Sequence, residues 1–138
     1  YIDGLAILLE RHVPIQVIHL EFNGITDTHI TQLSQVLKNH THIKKLYFSS
    51  NPGITDGSAE KLIALLKENN SIEIIDIEGT SINPENKKLI NTALKENLKK
   101  ITTHYFSHAR YFEVVALFEK IFSIDESEIT INNYQHLR

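Results

Sequence analysis

The chain has 138 residues, of which 41% are hydrophobic and 22% are charged, the composition of an ordinary globular domain. Its 14 basic residues against 17 acidic ones give a net charge of −3, so there is no basic excess to neutralise the phosphates of a nucleic acid. The absence of cysteine excludes disulfide frameworks, thiol catalysis and cysteine-bound zinc. No apolar run approaches the roughly 20 residues of a membrane span, so we expect neither a nucleic-acid partner nor a membrane segment.

The first predicted element is a helix at the start of the chain. Ile2, Leu5, Leu8 and Leu9 recur at helical spacing, in the same register as the apolar residues of the later predicted helices. The chain begins at Tyr1 and contains no methionine. We therefore expect a fragment that starts inside the helix of an earlier repeat, with the strand of that repeat lying before it.

Three segments then share one pattern, with apolar residues at relative positions 1, 4 and 6 and a small polar residue at position 9. They begin 28 and 29 residues apart, at Ile15, Ile43 and Ile72. The further apolar positions are Ile18 and Leu20, Leu46 and Phe48, and Ile75 and Ile77, and the position-9 residues are Asn23, Asn51 and Thr80. A fixed period of this length predicts strand-turn-helix units that bury their apolar faces by stacking. We expect the asparagines to bind backbone groups of the turn, and Thr80 to bind fewer.

Each segment continues into a predicted helix with capping residues at its start. The helical apolar residues are Ile30, Leu33, Val36 and Leu37, then Ala59, Leu62, Leu65 and Leu66, then Ile90, Ala93 and Leu94. Capping side chains precede them at Thr26-Asp27, Thr55-Asp56 and Asn83-Pro84. The last leucine of each of the four predicted helices is followed, three residues later, by a histidine or an asparagine. These residues are His12, His40, Asn69 and Asn97. We predict that these four end the helices in a left-handed backbone conformation.

A strand signature LxxLxLxxN followed by a helix, repeated with this period, resembles the ribonuclease-inhibitor type of leucine-rich repeat over about residues 2–103. This resemblance implies an α/β fold, a leucine-rich-repeat solenoid with a parallel sheet on its concave face. The segments NHTHIKKLYF and LKENNSIEIIDI are similar to repeats of tropomodulin and leiomodin. They also resemble repeats of nucleotide-sensing receptors and of some bacterial effectors.

The period breaks after Leu94. The spacing of Leu98, Ile101 and Thr103 predicts one more short strand. This strand would close a repeat region that covers residues 1–106.

Residues 107–122 form a further helix candidate, with apolar residues on nearly every face. We expect this helix to cover the apolar end of the last repeat. An exposed patch at Val114 or Phe118, used for a partner or a dimer, stays open as an alternative. Residues 123–138 form a tail, a short edge strand or the start of a following segment.

No residue pattern indicates catalysis or a bound cofactor. No serine lies in a glycine-bounded elbow and no glycine-rich phosphate loop occurs. His104 and His108 have the spacing of a helical metal pair, but no third ligand follows at a usable spacing and we expect His104 to precede the helix. We therefore predict a non-enzymatic chain without a metal or a cofactor.

The candidate binding surface is the outward side of the predicted sheet. Positions 3, 5, 7 and 8 of each unit are expected to point away from the core. The candidate partner-binding residues among them are Val17, His19, Glu21, Phe22, Lys45, Tyr47, Ser49, Ile74, Asp76 and Glu78. Aromatic side chains inside a polar rim are typical of protein-binding patches, so we predict a protein partner, whose identity stays open together with the oligomeric state.

Three functional hypotheses follow. The preferred one is a module that binds another protein through the concave face. Abundant isoleucine, asparagine and lysine are typical of AT-rich coding, which favours a host-directed bacterial effector acting in the host cytoplasm. The alternative is a eukaryotic regulator of actin or of a GTPase, by resemblance to tropomodulin and the Ran GTPase-activating protein, although the acidic tail disfavours actin capping. The third is the targeting region of a larger enzyme.

Overall fold

The computed structural model describes residues 1–108, 116–117 and 120–121. The chain divides into two compact units, Tyr1–Asn97 and Leu98–Arg138. Strands and helices alternate along the first unit, and its three strands form a parallel sheet in the order β1-β2-β3. The elements are α1 (Ile2–Glu10), β1 (Val17–His19), α2 (Asp27–Leu37), β2 (Lys45–Tyr47), α3 (Ala59–Glu68), β3 (Ile74–Asp76) and α4 (Pro84–His108). The predicted α/β class is confirmed, and the solenoid stays a prediction.

The predicted apolar positions form the core of the first unit. Strand and helix residues belong to one buried cluster, and in the central repeat Ile43, Leu46 and Phe48 are at most 1% exposed. Burial of this apolar surface is the main stabilising contribution to such a fold. One position departs from the expected register, because Leu8 of α1 is 45% exposed whereas the adjacent Leu9 is fully buried.

The predicted helix starts are confirmed. α2 begins directly after Thr26. A short 3-10 helix, Asp56–Ser58, precedes α3, and the hydroxyl of Thr55 accepts a hydrogen bond from the Gly57 amide at its start. α4 begins at Pro84, where the missing backbone N–H has no consequence because the first helical amides lack intrahelical partners.

The predicted left-handed helix ends are mostly wrong. His12 has the expected conformation, with φ of 53°. Asn69 is extended, with φ of −81° and ψ of 140°, His40 has no positive φ, and Asn97 lies inside α4. The physical reason is that these side chains act by hydrogen bonding to neighbouring repeats. Asn97, for example, donates from its side-chain amide to the carbonyl of Ile72 at 2.9 Å.

The predicted strand over 98–103 is also wrong, because α4 continues through it to His108. The spacing of Leu98 and Ile101 is equally a helical spacing, and no glycine or proline interrupts the chain after Pro84. The hydroxyl of Thr102 donates to the carbonyl of Leu98, four residues earlier, at 2.6 Å. For the same reason the expectation that His104 precedes the helix is wrong.

The predicted capping helix falls largely outside the described residues. Residues 107–108 belong to α4, and residues 116–117 and 120–121 are helical. The alternative patch at Val114 or Phe118 and the segment 123–138 lie outside the described part of the chain. The proposed division at residues 106 and 122 stays a prediction.

A buried asparagine connects the turns that follow β1 and β2. The side-chain oxygen of Asn51 accepts hydrogen bonds from the amides of Asn23 (3.0 Å) and Ile25 (2.9 Å). Its side-chain nitrogen donates to the carbonyls of Leu20 and Phe48, both at 2.8 Å. The predicted role of this position in satisfying backbone groups is confirmed at Asn51, where the bonds also join two repeats.

Thr80 occupies the same position in the third repeat, and its side chain forms fewer hydrogen bonds than that of Asn51. Its hydroxyl donates to the carbonyl of Ile77, three residues earlier, at 2.7 Å. Within the described residues its hydroxyl has no bond to another repeat, as its shorter side chain predicts.

A carboxylate at the start of one helix binds the start of the next helix. Asp27 accepts hydrogen bonds from the amide of Thr55 (2.8 Å) and from the hydroxyls of Thr55 and Ser58. Asp56 repeats the arrangement one unit later and accepts from the amide of Asn83 at 2.8 Å. Burial alone would raise the pKa of Asp27, but the hydrogen bonds from Ser58 and Thr55 outweigh it and lower that pKa. The ionised carboxylate therefore stabilises the contact between repeats.

Candidate functional site

The parallel register brings the predicted binding residues together. We define the exposed sheet face as Val17, His19, Glu21, Phe22, Lys45, Tyr47, Ser49, Ile74, Asp76 and Glu78. Two sets of three residues are Cα partners across the sheet, namely Val17, Lys45 and Ile74, and His19, Tyr47 and Asp76. The backbone bond from the Phe22 amide to the Ser49 carbonyl (3.3 Å) continues this register beyond the strands. The six paired residues therefore lie side by side, and Phe22 and Ser49 adjoin them where β1 and β2 end.

The alternation of side chains along each strand turns this surface away from the core. Ile18, Leu46 and Ile75 are the central residues of the three strands, and each is at most 6% exposed. Successive side chains of a strand point to opposite faces, so the residues on either side of these three point outward. The exposure of Val17 and Ile74, each 38%, agrees with that direction.

An ordered aromatic pair lies at the centre of the exposed sheet face. The rings of His19 and Tyr47 stack with their centroids 4.7 Å apart and their planes 4° from parallel. The Nδ1 atom of His19 lies 3.1 Å from a carboxylate oxygen of Glu21. These contacts hold two aromatic rings in place before any partner arrives, which reduces the entropy lost on binding.

Charge is distributed unevenly along the strands. Glu21, Asp76 and Glu78 lie at the carboxyl ends of β1 and β3, whereas Lys45 begins β2. The backbone amide of Glu21 and then the His19 side chain lower the pKa of the Glu21 carboxyl, so this group is ionised at neutral pH. The surface is therefore acidic at one end, with apolar and basic side chains at the other.

Phe22 is the most exposed large apolar residue of this surface. Its side chain is 82% exposed, and its backbone has φ of 56°, in the left-handed region. Such a conformation costs an L-residue other than glycine about 1–2 kcal/mol. The large apolar ring therefore lies mostly in water, which is unfavourable.

The same backbone conformation recurs one residue before position 9 in every repeat. Ser50 has φ of 58° and Gly79 has φ of 70°. A Cβ atom at Gly79 would lie 3.2 Å from the Ser50 amide nitrogen, so neighbouring repeats approach closely here. The sequence reasoning missed this bend, although the glycine at residue 79 was a signal of it.

Metal binding and membrane insertion each require a specific arrangement of residues. In residues 1–108, 116–117 and 120–121, no group of three or more His, Asp or Glu side chains is arranged to hold a metal ion. None of the helices in those ranges combines the length and apolar character needed to cross a bilayer.

Comparison with known proteins identifies solved structures of similar fold. No family model matches the chain, and no curated protein sequence matches it. A structure titled leiomodin-1 actin-binding site 2 aligns with a TM-score of 0.65 at 13% identity, covering 99% of this chain and 95% of that one. The tropomodulin C-terminal domain of Caenorhabditis elegans aligns with a TM-score of 0.64 at 11% identity, covering 97% and 98%. The predicted likeness to tropomodulin and leiomodin is confirmed at the level of the fold.

Proposed function

We propose that this chain is a protein-binding module that recognises another protein through the exposed sheet face, as part of a leucine-rich-repeat solenoid. The observation that carries the proposal is Phe22, a large apolar side chain that is 82% exposed. Exposed aromatic side chains dominate the energetics of many protein interfaces. Binding would bury the ring and remove its apolar surface from water.

The rest of the face supplies the other parts of an interface. The stacked pair of His19 and Tyr47 offers a rigid aromatic platform next to Phe22. Glu21, Asp76 and Glu78 form a polar rim at one end. The partner expected for such a surface presents an apolar pocket or groove for Phe22 and basic side chains opposite the carboxylates.

Affinity capture tests the proposal. The full chain, a Phe22→Ala/Tyr47→Ala double variant and a Leu89→Ala variant are used as baits in a eukaryotic lysate, and captured proteins are quantified by mass spectrometry. Leu89 is the matched control because it is 54% exposed but lies on α4. We expect proteins captured by the wild type to be retained by Leu89→Ala and depleted at least tenfold by the double variant. Equal capture by all three baits would contradict a binding role for this face.

Regulation of actin is the second candidate function. It is favoured by the likeness to a leiomodin-1 structure whose title names an actin-binding site. Co-sedimentation with purified filamentous actin and gel filtration with monomeric actin test it directly. Binding that is lost in the Phe22→Ala/Tyr47→Ala variant would name the partner, whereas no binding in either assay would exclude actin and leave the general proposal in place.

The other hypotheses have less support. Neither structure described above is titled as a bacterial effector. The effector hypothesis therefore rests on sequence resemblance and composition, and the ribonuclease-inhibitor type of repeat rests on sequence resemblance. The cytoplasmic location, the absence of enzymatic activity and the role as a targeting region of a larger enzyme are likewise still predictions.

A further inference from the structure

A buried histidine lies in the turn between α2 and β2. His40 is 1% exposed, and its Nε2 atom lies 3.2 Å from the carbonyl oxygen of Val13. Its Nδ1 atom lies 3.2 Å from the amide nitrogens of both His42 and Ile43. Because a carbonyl only accepts and an amide N–H only donates, Nε2 carries the proton and Nδ1 carries none. The hydrogen bonds therefore select the neutral ring in a single tautomer.

The next repeat performs the same task with a side chain that does not titrate. Asn69 accepts hydrogen bonds from the amides of Ser71 (2.7 Å) and Ile72 (2.8 Å) through its side-chain oxygen. Its side-chain nitrogen donates back to the carbonyl of Leu37 at 2.8 Å. The bonding pattern of the turn therefore does not require an imidazole, and the histidine at residue 40 adds a protonation step that asparagine would lack.

The groups that face His40 disfavour its protonated form. The ring of His12, from the segment after α1, stacks at 5.9 Å, and the ring of His42 meets it edge-on at 5.8 Å. From the turn between α3 and β3, Asn69 and Ser71 donate to the His40 carbonyl and carry no charge. Burial lowers the pKa of His40, the bond to Val13 opposes this, and repulsion by His42 and His12 lowers it further.

We propose that His40 makes the junction between the α1–β1 segment and the following repeat sensitive to pH. A proton on Nδ1 would face two amide N–H groups, so the protonated ring must leave the turn and give up its bond to Val13. The bond to Val13 connects the turn to the chain that leads into β1. Acidification would then loosen α1 and β1 while the later repeats stay packed.

The direction of the pH effect follows from linkage. A histidine whose pKa is lowered by folding stabilises the folded chain fully at pH values above its ordinary value, which is about 6.5. This stabilisation is lost as the pH falls from there towards the pKa in the folded state. Each unit by which folding lowers the pKa corresponds to a tenfold change in the unfolding equilibrium constant.

Urea unfolding at pH 7.5, 6.5 and 5.5 tests the proposal on the full chain. We expect the unfolding equilibrium constant of the wild type to rise as the pH falls, and that of His40→Asn to rise much less, because the substitution copies the side chain of Asn69. His12→Asn and His42→Asn are the controls and should keep most of the wild-type pH dependence, since both side chains are exposed. The same pH dependence in the wild type and in His40→Asn would overturn the proposal.

Two local measurements separate this mechanism from a general acid effect. In hydrogen exchange, corrected for intrinsic rates, the amides of α1, His42 and Ile43 should lose protection at pH 5.5 before those of α3 do. In an NMR titration of the wild type, His40 should carry its proton on Nε2 and titrate below its ordinary pKa. A titration at or above that value contradicts the proposal even if the His40→Asn variant fails to fold. None of these measurements depends on the proposed binding function.

Discussion

Asn51 and Thr80 occupy the same position in consecutive repeats and connect different numbers of groups. Replacing Asn51 by alanine leaves buried amides and carbonyls on two repeats without partners, each at a cost of about 1–3 kcal/mol. Because some of these groups regain water, we expect Asn51→Ala to lower the free energy of unfolding by about 3 kcal/mol. Urea unfolding monitored by circular dichroism measures this loss.

Thr80→Ala is the matched control for that experiment. It removes one local hydrogen bond, to the Ile77 carbonyl, so we expect a loss of about 1 kcal/mol. If both variants lost the same free energy, the bonds of Asn51 between repeats would not carry the stability assigned to them.

Substitution of Phe22 is expected to change the free energy of unfolding in the opposite direction. In the left-handed region glycine avoids a strain of about 1–2 kcal/mol but loses about 0.5–1 kcal/mol more backbone entropy on folding. The ring is 82% exposed, so little burial is lost. We expect Phe22→Gly to raise the free energy of unfolding by roughly 0.5–1 kcal/mol and to weaken partner binding. Ser50→Gly, at the same backbone conformation, should raise it similarly; a large loss of stability in Phe22→Gly would contradict the account.

At the scale of elements, the starts of α2 and α3 are joined through Asp27. Asp27→Asn replaces an ionised acceptor of three hydrogen bonds. Because the carboxylate is partly exposed and screened by water, we expect a loss of about 1 kcal/mol at pH 7. The pKa of Asp27 is lowered from 3.8, so its contribution is complete above about pH 4 and is lost as the pH falls through the lower value in the folded state.

The measurement for Asp27 is a pair of urea unfolding curves at pH 7 and at about pH 2.5. The difference in unfolding free energy between wild type and Asp27→Asn should shrink at the acidic pH, because below the ordinary pKa of 3.8 the carboxyl group of the unfolded wild type takes up a proton that the folded chain resists. A difference that stays constant would mean that the charge of Asp27 does not contribute.

The periodicity of the sequence predicts the strands, the helix starts and the core, because each is determined by local spacing and capping. It fails at 98–103, where a spacing of three suits both a strand and a continued helix and no proline or glycine decides between them. It also misassigns His40 and Asn69 as left-handed helix ends. Their hydrogen bonds reach residues such as Val13 and Leu37, and such long-range contacts leave no trace in local spacing.

At the scale of the whole molecule, the sequence predicted which positions form the candidate site. It did not predict how their side chains are arranged on the surface. The alternation of buried and exposed residues predicted that positions 3, 5 and 7 of each repeat share one face, and the register of the strands brings six of these residues side by side. The stack of His19 on Tyr47 and the left-handed backbone of Phe22 depend on the pairing of strands and on the bend that recurs in each repeat. They therefore required the three-dimensional structure.

The central claim is that the exposed sheet face is the binding surface, and hydrogen–deuterium exchange on the purified complex with a captured partner tests it most directly. We predict that peptides covering residues 17–23, 45–51 and 74–80 gain protection in the complex. Peptides from the outward sides of α2 and α3 should exchange at the same rate with and without the partner. Protection confined to the helices, with the strand peptides unchanged, would contradict the claim and place the binding surface on the opposite side of the repeats.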